Sequence, residues 1–197
     1  MIKTNKAVLM SIRPKWCELI ASGKKTIEVR KTKTKIQTPF KVYIYQTMKP
    51  VSVSFSGNGK HISEYDKTLW YNRWSGKVIG EFICNKIEKY IADDDFCYGI
   101  YDIDDDTVQK TYLENGSLWE YGKGKPLYGW HISELVIYDE PKELSDFEKP
   151  CPYDEKCAKC KYNDDGTYYE PYSSCNNESL FLRRPPQSWC YIRRKCE

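Results

Sequence analysis

Between residues 23 and 30 the chain sets Gly23, Lys25, Glu28 and Arg30 in the pattern G-x-K-x-x-E-x-R. Two cations and a carboxylate at that spacing suit a ligand phosphate or a polarised carbonyl, with the carboxylate holding or deprotonating a neighbouring group. Arg13, just ahead of Pro14, supplies a further cation, and Trp130, or a tryptophan of residues 47–76, offers an aromatic face on which a base can stack. The same residues also have an architectural reading. Glu28 and Arg30, two apart on a strand, share a face and can form ion pairs that close a sheet, while a large aromatic such as Trp130 is often explained by burial.

A second group of chemistry-bearing residues lies near the C-terminal end. Of nine cysteines, six crowd into residues 151–197. Cys151, Cys157, Cys160 and Cys175 include the tight Cys157-Ala158-Lys159-Cys160 knuckle, the spacing that lets two thiolates wrap a tetrahedral ion. Four sulfurs leave no open position, so the expected cofactor is a structural zinc. Cys190 or Cys196 can replace an outer ligand, and a redox-active C-x-x-C is the competing reading. Cys17 fits a buried core thiol.

The elements that must position these groups follow from periodicity. A strand, Ala7 to Ser11, leads into a helix from Pro14 to about Ser22, where Trp16, Leu19 and Ile20 share a face and Gly23 provides a left-handed stop. Ile27 and Val29 then alternate with Glu28 and Arg30 as a strand. Strict alternation puts Lys25 on the opposite face from Glu28, so Lys25 joins them only from the turn after Gly23, before regular pleating begins. Further strands are expected at Phe40–Gln46, Val78–Tyr90, Tyr128–Asp139 and Trp189–Ile192. Asp106 is expected to cap a helix from Thr107 to Glu114 that stops at Asn115-Gly116. Residues 47–76 give no clear element.

Composition and charge narrow the class. With 197 residues, 40% hydrophobic and 15% aromatic, the chain suits one soluble domain with an appendage, and disordered, collagen-like and membrane-spanning readings are poor. The N-terminal apolar run stops at Arg13, too short for a signal peptide core, so a cytoplasmic location is expected. The net charge of +3 hides a strong asymmetry: residues 1–60 carry a net +11 and residues 81–120 a net −8. One basic face for a polyanion is the expectation, with no membrane partner.

The segment from Val8 to Arg30, with its strand, Arg13-Pro14 turn, helix and G-x-K-x-x-E-x-R, resembles the ASCH family of the PUA-like superfamily. Tyr128-Gly129-Trp130-His131-Ile132-Ser133 is similar to a later aromatic-containing strand of that family. Pro185-Pro186-Gln187-Ser188-Trp189-Cys190 resembles an ending found in bacterial and phage members of this length. By itself that ending reads either as a rigid turn or as Gln187 and Ser188 reading a base edge beside Arg183 and Arg184.

The resemblance implies a mainly β, α+β fold: a PUA-like, partly open β-barrel with short helices and a zinc-knuckle-like insertion. The expected division is residues 1–147 for the barrel and 148–197 for the Cys-rich segment, whose final strand returns to the barrel. It also implies binding of RNA, or of a modified nucleoside or nucleotide, in a basic cleft lined by Arg13, Lys25, Glu28, Arg30 and Trp130. The alternative is a hydrolase using the same cleft, either an amidohydrolase on a modified nucleoside or a ribonuclease, with Lys25 and Glu28 as the catalytic pair. Against the amidohydrolase, Glu28 stands where such relatives carry a threonine nucleophile.

Overall fold

The computed structural model describes residues 6–48, 73–93, 100–150 and 180–193. Its strands are β1 (Lys6–Ile12), β2 (Ile27–Arg30), β3 (Phe40–Gln46), β4 (Val78–Tyr90), β5 (Ala92–Asp93), β6 (Ile100–Tyr101), β7 (Leu127–Lys142) and β8 (Trp189–Arg193). The helices are α1 (Pro14–Ala21), α2 (Asp105–Thr111) and α3 (Asn115–Gly122), with a 3-10 turn at Leu144–Asp146. Residues 49–72, which hold most of the unassigned stretch, and Cys151, Cys157, Cys160, Cys175 and Cys196 lie outside the described residues.

Six strands form one sheet in the order β2-β7-β4-β3-β1-β8, while β5 and β6 pair separately. β1 and β3 run parallel and every other pairing in the large sheet is antiparallel. The sheet is not closed, since β2 and β8 are its two edges. Side chains from the segment after β2 nevertheless reach β8: Trp189 Nε1 donates to Thr32 Oγ1 at 3.0 Å, Thr34 Oγ1 donates to the Tyr191 hydroxyl at 3.1 Å, and the Lys35 amide donates to the same hydroxyl at 3.0 Å. The sheet is therefore curled far enough for its ends to be joined by polar side chains in place of a backbone ladder.

Strand alternation sorts the core into two faces. Val8, Met10, Ile12, Phe40, Val42, Ile44, Phe82 and Trp130 pack inward with Cys17 and Ile20 of α1. Ala7, Leu9, Tyr43 and Tyr45 face the other way onto Phe147, Leu182 and Ile192. A third, smaller cluster joins Val29, Tyr90 and Leu127 to Tyr101 and to Leu118 of α3. The long strands β4 and β7 keep contact through three register shifts, and Glu134 takes a positive φ of 47° within β7. Such irregularities bend a strand and aim its two halves differently.

One helix boundary departs from expectation. Asp104, and not Asp106, caps α2, accepting from the Thr107 amide at 2.8 Å and the Thr107 hydroxyl at 2.9 Å. The helix ends at Tyr112, which adopts the left-handed conformation, and Asn115-Gly116 opens α3 where a stop was expected. Both Asp104 and Asp106 precede a short polar run, and only the reach of Oδ1 to the amide three residues on selects between them.

Candidate functional site

α1 begins with Arg13 as its extended N-cap and Pro14 at the first helical position. The turn after it is pinned by backbone bonds: Lys25 N to Leu19 O at 2.9 Å, Thr26 N to Lys110 O at 3.1 Å and Ile132 N to Thr26 O at 2.9 Å. Gly23, at φ 72°, permits that reversal. Lys25 thus leaves the chain just ahead of β2, from the turn position that alternation demanded.

The side chains of Lys25, Glu28 and Arg30 converge. Glu28 Oε2 lies 3.4 Å from Lys25 Nζ, and Glu28 Oε1 lies 3.2 Å from Arg30 Nη2. All three residues are buried, with relative exposures of 1%, 6% and 7%. Two further anchors hold the cations. Lys25 Nζ donates to the carbonyl of Thr111, the last residue of α2, and Arg30 Nη2 donates to the Ser11 carbonyl at 2.6 Å. A helix C-terminus is a favourable seat for an ammonium group because its carbonyls carry partial negative charge.

Burial dominates the electrostatics. It lowers the pKa of Lys25, with the attraction of Glu28 opposing that shift and Arg30 adding to it. Burial also pushes the neighbouring Cys17 thiol far above its ordinary range, reinforced by the Glu28 charge, so this sulfur stays protonated. The Tyr121 hydroxyl is raised for the same first reason and feels the opposing fields of Arg30, Glu28 and Arg13. Tyr121 therefore stands near the charges at the margin of the site, where Lys31 Nζ sits 4.8 Å above its ring.

Around the buried charges is a basic, solvent-facing rim. Arg13, Lys15, Lys24, Lys31, Lys33 and Lys35 are exposed. Lys15 Nζ lies 4.8 Å from the Trp16 ring centroid and Lys25 Nζ lies 5.2 Å from it. Of the residues singled out from sequence, Arg13 is on the rim and Lys25, Glu28 and Arg30 form the interior cluster. Trp130 is fully buried, paired opposite Glu28 across β2 and β7, with its ring packed edge-on to Phe40 at 5.6 Å and tilted against Trp189 at 5.8 Å. Ser11, Thr111, Trp16 and Tyr121 were not legible as site residues. The first two contribute backbone carbonyls, which leave no trace in residue type.

The ending Pro185 to Trp189 docks on the same strand. Ser11 Oγ donates to the Pro186 carbonyl at 2.7 Å, and the Ser11 amide donates to the Ser188 carbonyl at 2.9 Å. Cys190 lies in β8 opposite Leu9, half-buried against the second core cluster, and burial raises its pKa.

The sequence model of the ASCH domain matches residues 10–181. The chain belongs to the ASCH domain family. Among solved structures, this ASCH chain is similar to ASCH from Zymomonas mobilis, at 18% identity and a TM-score of 0.45 over 72% of this chain and 76% of the other. A Ser-to-Ala variant of that protein gives 18% identity and a TM-score of 0.45 over 71% and 75%. No match is found among the curated proteins. Among the described residues, no helix is long and apolar enough to cross a membrane.

Proposed function

We propose that this ASCH chain binds RNA, or a nucleotide-like ligand, at the Lys25–Glu28–Arg30 cluster and the exposed basic residues beside it, Arg13 among them. The observation that carries the reading is the combination of a buried, anchored charge cluster with an exposed rim of six lysine and arginine residues. Buried charges fix geometry without reorganising, and rim cations attract phosphate. The rim, with cations lying beside Trp16 and Tyr121, suits the backbone of a single strand. The cluster is too enclosed for a polymer to run through, so the strand would lie on the exposed cations.

Titration of a labelled single-stranded RNA at several salt concentrations tests this. Affinity is expected to fall on a log-log plot by about 0.7 per neutralised phosphate contact. Replacing Lys31 and Lys33 together with Gln should flatten that slope and leave thermal unfolding unchanged. Absence of binding at low salt overturns the reading.

A hydrolase reading draws on the lowered pKa of Lys25 beside Glu28, the direction that favours a neutral amine able to take a proton. Cys17 does not supply the nucleophile, because burial keeps it as a thiol. Water would then have to attack. Turnover of acylated nucleosides or single-stranded RNA, abolished by Lys25→Met, supports this reading, and unchanged substrate removes it.

We also propose a structural zinc held by Cys151, Cys157, Cys160 and Cys175. The support is the spacing of the four cysteines around one C-x-x-C knuckle in a stretch with few aliphatic residues.

A further inference from the structure

A base held beside the charge cluster needs an aromatic surface, and Trp130 does not provide it: the ring is fully buried and walled by Phe40 and Trp189. Near the cluster, Trp16, Tyr121 and Tyr128 each lie beside a lysine and keep part of their surface in solvent. They differ in what they touch. Tyr121 and Tyr128 meet Lys31 and Lys33 of the rim, at 4.8 and 5.9 Å, whereas the Trp16 ring centroid lies 5.2 Å from Lys25 Nζ, which is itself 3.4 Å from Glu28 Oε2. Trp16 is therefore the aromatic that reaches from the solvent-facing rim to the buried charges.

The start of α1 sets its position. The Trp16 amide donates to the Arg13 carbonyl at 2.9 Å, so the indole leaves the first helical turn, one turn from the rim cation Arg13. The residue packs against the inward core cluster and stays half-buried, and over its ring the exposed Lys15 places an ammonium 4.8 Å from the centroid. Packing against the core fixes the ring in advance, so little freedom is lost when a ligand meets it.

Resting on the RNA reading above, we infer that Trp16 is the stacking residue for one base of a bound single strand, with Lys15 meeting an adjoining phosphate. The strength of the two contacts decides the exchange. An exposed lysine is held only weakly by an aromatic ring, whereas a base stacked on an aromatic side chain is worth about 5- to 100-fold in affinity. The base takes the ring and the ammonium moves to the backbone. Every base has a π face, so Trp16 contributes affinity without sequence preference, and its contribution is separate from that of the rim cations, which act on phosphate.

The test titrates the full chain with a labelled single-stranded oligonucleotide and with an abasic strand of the same length, which keeps every phosphate and lacks the bases. The base-bearing strand is expected to bind about tenfold more tightly. Trp16→Leu, which keeps an apolar side chain and removes the ring, should abolish that difference while leaving both the affinity for the abasic strand and the salt slope unchanged. Trp16→Phe should retain most of the difference, and if Trp16→Leu lowers the unfolding temperature, a several-fold loss in Trp16→Phe confined to the base-bearing strand carries the test in its place. Equal losses for the two strands, no loss for either, or a base-dependent loss found only in Tyr121→Leu overturns the inference and leaves the RNA reading standing. No binding of either strand at low salt overturns both.

Discussion

Arg30 reaches from edge strand β2 and donates through Nη2 to the carbonyl of Ser11 on β1 at 2.6 Å. Ser11 in turn donates its amide to Ser188, just ahead of the opposite edge strand β8. One guanidinium thus ties the two ends of an open sheet while also meeting Glu28. The residue that makes the site electropositive is also one that shapes the fold.

Arg30→Lys is expected to destabilise the chain by about 1–3 kcal/mol, because the shorter lysine does not carry its ammonium to the point from which Nη2 meets both the Ser11 carbonyl and Glu28. The urea midpoint of unfolding reads this directly. A midpoint equal to that of the parent would show that the Ser11 contact contributes nothing to stability.

Glu28→Gln preserves shape but leaves Lys25 and Arg30 as buried cations without their shared counter-charge. The expected loss is about 3–5 kcal/mol. Pairing it with Lys25→Met should recover part of that loss, since one of the two uncompensated charges is then gone. A double-mutant cycle from denaturation curves measures the coupling.

A different ion pair contributes to the response to acid. Burial opposes ionisation of Glu81, but hydrogen bonds from Lys41 and Tyr138 outweigh it and hold the carboxyl below its ordinary 4.5. Lys41 Nζ lies 2.6 Å from Oε1, and the Tyr138 hydroxyl lies 2.5 Å from Oε2. With the folded pKa depressed, the unfolded chain binds more protons on the acid side. The pair therefore contributes stability above about pH 4.5 that is lost as pH falls through the folded value. Glu81→Gln should flatten the acid limb of a stability-against-pH curve.

Tyr191→Phe removes the hydroxyl that accepts from Thr34 and from the Lys35 amide. A loss of about 1–2 kcal/mol is expected, with faster amide exchange at Lys35. Unchanged exchange there would mean that the segment after β2 is held by other contacts.

The zinc proposal predicts about one zinc per chain in protein purified without added metal, with release on chelation or on Cys157→Ser plus Cys160→Ser. Metal content well below that with intact thiols removes the four-cysteine assignment.

Local pattern was sufficient wherever the physics is local. The alternation Ile27, Glu28, Val29, Arg30 identified a strand with both charges on one face, Pro14 and Gly23 bracketed α1, and the need to place Lys25 in a turn followed from the period of two. The cap of α2 failed because two aspartates two residues apart look alike until one of them reaches an amide.

What the sequence by itself determined was the family, the mainly β character and the condition under which Lys25 could join Glu28 and Arg30, all of which depend on local spacing and periodicity. Only the tertiary structure decided how deeply that cluster is enclosed, that Trp130 packs inside, and that carbonyls of Ser11 and Thr111 hold the cations. It also decided that the sheet stays open, with side chains and not a ladder joining its edges. These depend on contacts between residues 19 to 157 positions apart. No local pattern of hydrophobicity or charge encodes which backbone carbonyl a distant side chain will find.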